Sequence, residues 1–374
     1  MHHHDHFWWR FFPKKELTRI YISTAMRFFA TSLISLFIPI YLHLELGYSI
    51  HQSLYFYMFY AIIYAIICPI AAKFSHRFGV KHSVLLSIPI YLLFVLTLHL
   101  LPNYSIPLYL IAGLAGASQA FYWMGMHFIF HHASDRKHRG EEFGKRAALS
   151  ISATLLGPLV GGFTIKYFGF ELVFMLTGIL LFVSAFFLFM SKEEHPKFHF
   201  SLRSLVDKRH WQNSLFFISR GSHVMTSGVI WPLFVFFILK DYASLGVVGS
   251  ITAGISAILI FIVGKFSDHK NKHTLIRYFA GFESLAWFLR SMVSTVGQVF
   301  GITIFGGITY GLVEGPMGAL EYDKATSKVE QYFVTREIYL CLGRVLVLLF
   351  VLMTDSLASG FIFHGIASLA AFLF

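Results

Sequence analysis

The chain repeats itself at a spacing of about 192 residues, and that repeat fixes most of what it can fold into. Arg27 is followed twelve positions later by Pro39, and Arg220 by Pro232 at the same interval. Lys73-Phe74-Ser75 returns as Lys265-Phe266-Ser267, and Phe143-Gly144-Lys145-Arg146 is echoed by Phe333-Val334-Thr335-Arg336. The offsets of 193, 192 and 190 barely drift, so the copies keep their register against long apolar runs. A chain duplicated in this way is expected to build two similar bundles facing one another.

Composition sets the solvent for those bundles. Only 13% of residues are charged and mean hydropathy is +0.65, whereas a soluble domain carries about 25% charged residues. Apolar windows of roughly 20 residues, the length that crosses a hydrocarbon core, recur along the chain. Twelve are expected, over 18–43, 53–74, 83–101, 107–130, 146–166, 170–190, 212–239, 244–264, 275–292, 297–320, 337–355 and 360–374. Without alternating ten-residue strands, helices must satisfy the backbone in lipid. The fold class is therefore an all-α membrane protein of twelve transmembrane helices in two pseudo-symmetric six-helix bundles. The parts are a tail over 1–17, bundles over 18–190 and 212–374, and a polar linker over 191–211. The last window is short, so the final helix either ends at the interface or continues past Phe374.

Charge placement orients the bundle. With the N-terminus inside, 24 of the 30 Lys and Arg flank the cytoplasmic ends of the spans, Lys166, Lys240 and Arg290 lie outside, and Arg27, Arg220 and Arg344 lie within spans. This bias predicts a cytoplasmic N-terminus in a prokaryotic plasma membrane. The net charge of +11 follows from the same asymmetry; spread over six short segments, it is no nucleic-acid footprint. Cys68 and Cys341 fall inside spans, against a disulfide framework or thiolate metal site.

The loop after span 2 reads Ala72-Lys-Phe-Ser-His76-Arg77-Phe-Gly79-Val-Lys81, and the loop after span 8 reads Gly264-Lys-Phe-Ser-Asp268-His269-Lys-Asn271. Both resemble the major facilitator superfamily signature G-x-L-x-D-R-x-G-R-K at that location. Gly144, Ala153, Gly157-Pro158 and Gly161-Gly162 resemble the superfamily's glycine-rich helix-5 pattern, with Ala153 in place of a glycine. The resemblance covers the whole chain and implies a secondary transporter working by alternating access. It also implies a hinge at Gly157, Pro158, Gly161 and Gly162. Tyr109, ahead of Gly113, stands where the family's helix-4 arginine is expected, which departs from the proton-coupled antiporter pattern. Gly79 and Asn271 occupy matching turn positions, where a left-handed residue would reverse a short loop. The first copy has His76 for the acid; the second keeps Asp268 but has His269 for the arginine. The second copy is expected to keep a charged latch and the first mainly a turn.

Arg27, Arg220, Glu314 and Arg344 lie about 10 Å from the cytoplasmic helix ends at 1.5 Å per residue, with Glu283 slightly deeper. Two readings stand. The arginines snorkel or pair with glutamates to staple helices, or the layer floors a transport cavity that holds an anionic group or relays a proton. The resemblance places Arg27, Arg220 and Glu314 on path-lining helices, with Arg344 intermediate and Glu283 peripheral. Glu314 is then the proton-coupling candidate. Gln119, Trp123, His223 and Trp231 are expected to line the path beside these charges, and such walls suit an amphiphilic solute.

His127 and His131 have metal-ligand spacing but no assured third ligand, so no metal is expected. Met1-His-His-His-Asp-His is set aside as a metal-binding tail or tag remnant. No nucleotide-binding loop or cofactor motif occurs, and no convergent acid, base and metal set suggests an enzyme. The expected activity is proton-coupled efflux of an amphiphilic or anionic organic compound. The partners are the lipid bilayer, that solute and protons, without nucleic acid, and the protein is expected to be monomeric. A transporter-like sensor or scaffold is the alternative.

Overall fold

The computed structural model describes residues 15–134, 139–189, 193, 195–196, 200–201, 205, 211–325 and 328–374. Most of the expected tail and linker lie outside them.

The apolar windows become twelve helical rods. α1 runs from Lys15–Ser35 through Ile38–Ile40 and a π-turn at Tyr41–Glu45. α2 (Ile50–Phe78), α3 (Val80–Leu100), α4 (Leu108–Ala133), α5 (Arg139–Phe168) and α6 (Phe170–Phe189) complete the first half. α7 comprises Trp211–Met225, a π-turn at Thr226–Ile230, and Trp231–Leu239. α8 (Tyr242–Phe266), α9 (Lys272–Arg290), α10 (Val296–Lys324), α11 (Val329–Thr354) and α12 (Leu357–Ser368, with a 3-10 turn to Phe372) form the second. Among the described residues, nine helices are long and apolar enough to cross a bilayer.

Packing repeats with a shift of six helices. α1 lies on α5 and α6, and α3 on α4; α7 lies on α11 and α12, and α9 on α10. Across the seam α5 packs along α8, and α2 along α11, as a pseudo-twofold requires. The α5–α8 contact is made by backbones. A Cβ at Gly162 would lie 2.5 Å from the Tyr242 carbonyl oxygen, and one at Gly246 2.3 Å from that of Pro158. At the other end of the same crossing, Gly144 meets α8 beside Gly264. Gly157 and Gly161 face α1 instead, where a Cβ would meet Ser32 and the Leu33 carbonyl oxygen. The residues of the expected hinge therefore pack closely on both neighbours, and α5 stays helical through Pro158.

Pro39 and Pro232 each start a rebuilt segment in the equivalent helices of the two halves. A proline returns no N–H to the carbonyl four residues back. The carbonyls of Ser35 and Gly228 therefore lose their helical donor, and both residues face the space between the halves.

Several helices outrun their expected windows. α10 continues to Lys324 and α11 begins at Val329, which carries Glu321 and Arg336 into the bundle beside Glu337. Arg336 pairs with both carboxylates there, and the backbone stays helical past the end of the hydropathy window.

Candidate functional site

Between the two bundles lies a cavity of about 350 Å³. The first half contributes Ser32, Thr154 and Pro158; the second contributes Trp231, Arg290 and Tyr310. A smaller cavity of about 150 Å³ shares Ile151 and Tyr310 with it and adds Trp123, Arg146 and Glu314. Together they trace one path along the seam. A larger hollow of about 640 Å³ lies between α3 and α6 within one half, away from this path.

The expected site residues divide between the seam and the interiors of the halves. Trp123 lines the smaller cavity and stacks on His127, and Trp231 lines the larger one. Arg27 points into the first half: Nη1 donates to Ser87 Oγ at 3.0 Å, and the guanidinium lies 4.0 Å from the Tyr122 ring centroid. Arg220 mirrors it in the second half, with Nη2 2.6 Å from Glu314 Oε2 and Nε 3.7 Å from Glu321 Oε1. Glu321 is a second buried acid on α10, one that the expected window 297–320 left out. Arg344 stacks over Tyr64 at 4.7 Å at the α2–α11 seam. Gln119 is half-buried and lines neither seam cavity. His223 faces a separate pocket inside the second half with Glu283 and His364.

Arg290 departs furthest from expectation. Counted as an outer-loop charge, it is 5% exposed and turned inward. Its guanidinium lies 3.8 Å from the Trp287 ring centroid and 5.1 Å from that of Trp231. It makes no carboxylate ion pair among the described residues, and its Nε has no hydrogen-bond partner. Trp287, one helical turn before this span-terminal arginine, is the sequence signal that marks it.

The seam is tied at both ends. At the end carrying the signature loops, Glu337 of α11 accepts hydrogen bonds from Tyr64 at 2.6 Å and from His127 at 3.0 Å, both in the other half. Tyr322 accepts from Arg146 at 3.3 Å and bonds His127 Nδ1 at 2.7 Å, which leaves the His127 Nε2–H to face Glu337. Arg336 joins Glu337 to Glu321. His131 bonds the Ala325 carbonyl, so the His127–His131 pair is engaged in closing the seam. At the opposite end, Tyr242 donates to Glu45 at 2.8 Å, and Lys166 lies 2.9 Å from Asp241. Burial raises the Asp241 pKa, but bonds from Lys166 and from the Ser244 N–H and hydroxyl outweigh it and leave the carboxyl below its ordinary value. This tie is kept at neutral pH and loosens as pH falls through that lowered value.

The signature loops use different anions. Asp268 accepts the Glu141 N–H at 2.7 Å, in the first turn of α5 across the seam, where N–H groups lack helical partners. In the first copy, Glu193 takes the place of the missing acid: it accepts the Lys81 N–H at 2.8 Å and lies 2.5 Å from His82. Gly79 turns the chain at φ +101°, but Asn271 does not, at φ −67°. Asn271 instead caps α9 by accepting from His273 N–H at 3.0 Å, which needs extended backbone. His76 bonds the Pro196 carbonyl, while Arg77 and His269 are exposed. Asp268→Asn is therefore expected to cut transport about tenfold, since it removes charge from a cap across the seam, with His76→Asn near wild type. Uptake into proteoliposomes tests this, and equal losses would count against the latch.

Two six-helix halves closed around a polar seam define a membrane protein with a transporter-type fold. The chain belongs to the Major Facilitator Superfamily, whose family profile it matches over residues 20–348. It is similar to the uncharacterized protein YqgE of Bacillus subtilis strain 168, 27% identical over 267 residues. That match spans 65% of this chain and 60% of YqgE. The crystal structure of a bacterial homologue of the iron transporter ferroportin, in an outward-facing state, shares the fold with a TM-score of 0.68. Identity is 11%, over 96% of this chain and 97% of that one.

Proposed function

We propose that this transporter moves an amphiphilic organic anion by alternating access, with Glu314 as the proton-coupling group and export as the direction. The observation that carries the reading is Arg290, a desolvated cation facing the seam cavity between two tryptophans. A buried guanidinium without a carboxylate is costly, and an anionic substrate with an apolar body would offset that cost while filling the aromatic walls. The carbonyls of Ser35 and Gly228 offer acceptors for a hydroxyl or amide on the same solute. Glu314 stands where the smaller cavity meets the Arg220 pair, so protonation would release Arg220 as the solute moves. Within the seam cavity, whose described lining holds Arg290 and no carboxylate, a metal cation such as iron, the cargo named for ferroportin itself, is disfavoured.

In this reading the N-terminus is cytoplasmic and the membrane is a prokaryotic plasma membrane, which the basic loops support. The protein works as a monomer of two bundles, 18–190 and 212–374, joined over 191–211.

A thermal-shift and uptake screen against sugars, amino acids, organic anions and lipophilic cations tests the proposal. An organic anion is expected to stabilise the protein, and Arg290→Ala to weaken its binding at least about tenfold, the scale of one charge-assisted contact. Glu314→Gln is expected to uncouple substrate movement from the proton gradient. Stabilisation by cations alone, or unchanged anion affinity in Arg290→Ala, would overturn the reading.

A further inference from the structure

We infer that His223, Glu283 and His364 form a binding site for one divalent transition-metal ion, with Zn²⁺ the best fit. The site lies inside the second half, separate from the substrate path. The three residues come from α7, α9 and α12, and their ligand atoms lie within 4.8 Å of one another. His223 Nδ1 is 3.2 Å from His364 Nε2 and 3.8 Å from Glu283 Oε1. A tetrahedral ion with bonds of about 2.0–2.1 Å holds its ligands about 3.3 Å apart, so small side-chain adjustments complete the geometry. Two imidazoles and one carboxylate are a donor set suited to zinc, with a fourth position left for water.

The surrounding groups hold the ligands as an outer shell would. Ser222 Oγ donates to the Ser219 carbonyl at 2.7 Å and lies 2.8 Å from His364 Nδ1. Its proton being used, Ser222 accepts from His364 Nδ1–H, which leaves the Nε2 lone pair aimed at His223. Glu283 Oε1 accepts from Trp287 Nε1 at 2.9 Å, and Oε2 accepts from the Thr309 hydroxyl at 2.6 Å, so the carboxylate is fixed on both sides. Glu283 is 7% and His364 2% exposed. The adjoining cavity of about 30 Å³ is the size of one water molecule. Arg220 lines this pocket too, with its charge met by Glu314 at 2.6 Å.

Tyr310 stacks on His223 at 4.9 Å and also lines both seam cavities, so it walls the ion off from the path. The π-turn at Thr226–Ile230 starts three residues after His223. The ion would thus anchor the helix below that turn to α9 and α12, a structural or regulatory role distinct from cargo.

The test uses the full chain in detergent with His2, His3, His4 and His6 replaced by alanine, which removes the competing N-terminal histidines. One equivalent of Zn²⁺ is expected to remain after gel filtration, and Co²⁺ to give the intense visible bands of a four-coordinate ion. His364→Ala and the isosteric Glu283→Gln should each weaken Zn²⁺ binding about 100-fold or more. Ser222→Ala should weaken it about tenfold through the outer shell. Should His364→Ala fail to fold, Glu283→Gln decides alone. No bound zinc, no four-coordinate cobalt spectrum, or unaltered affinity in Glu283→Gln would overturn the assignment. Transport that survives loss of zinc leaves the substrate reading intact, because the two sites are separate.

Discussion

Glu337→Ala is expected to destabilise the detergent-solubilised protein by about 3–5 kcal/mol, the usual cost of removing one partner from a buried charge pair. Glu337 is 2% exposed and gathers Tyr64, His127 and Arg336 around one carboxylate. Its loss leaves Arg336 to Glu321 alone, and strips Tyr64 and His127 of the acceptor that ties the first half to the second. The seam should then open at the end bearing the signature loops. The chain carries its own reporters, because Cys68 and Cys341 are free thiols buried at that seam. Both should react with a maleimide faster in Glu337→Ala than in wild type. Glu337→Gln keeps an acceptor for Tyr64 and should lie between the two. An unchanged unfolding midpoint together with unchanged labelling would show that the carboxylate does not hold the seam.

The second large effect concerns the crossing of α7 and α11. A Cβ on Gly343 would sit 1.9 Å from the Ile218 carbonyl oxygen, and one on Gly221 1.8 Å from that of Leu340. Neither obstacle is a flexible side chain, so the helices themselves must separate. Gly343→Ala and Gly221→Ala are each expected to cost about 1–3 kcal/mol, the usual range for overpacking. Once one substitution has parted the helices the other adds little, so the double variant should fall well short of the sum. Gly301 of α10 has open space at its Cβ, and Gly301→Ala should be neutral or stabilise by about 0.5–1 kcal/mol through helix propensity. Thermal unfolding of these four variants beside the wild type checks all of this. Strict additivity would mean the two glycines do not share one contact.

The sequence disclosed the duplicated halves and the helix count because lipid imposes long apolar runs, and those survive as a one-dimensional signal. It also located the loops that meet across the seam. What it hid was charge that disappears only in three dimensions. Glu321 and Arg336 read as loop residues, and Glu337 as the edge of a span, because a hydropathy window counts each charge alone, yet Arg336 pairs with both carboxylates inside α10 and α11. Arg290 read as an outer charge because its partners are the faces of Trp287 and Trp231, which no charge count registers. Asn271 matched Gly79 by position, but its side chain capped a helix, and local hydrogen bonding overrode the turn. Glu193 supplied from far along the chain the anion that the first loop lacks, and pattern matching has no access to such a partner.

The paired glycines between α5 and α8 have a mechanical consequence. Where main chain lies on main chain, no rotamers interlock, and a small rotation shears a smooth surface instead of dragging side chains out of sockets. In the proposed alternating-access cycle that stretch would serve as a bearing, holding the molecule together while the ties at either rim break in turn. The energetic cost of switching would then lie at the rims, and chemistry at a few polar residues there would set the rate at which the whole machine turns over.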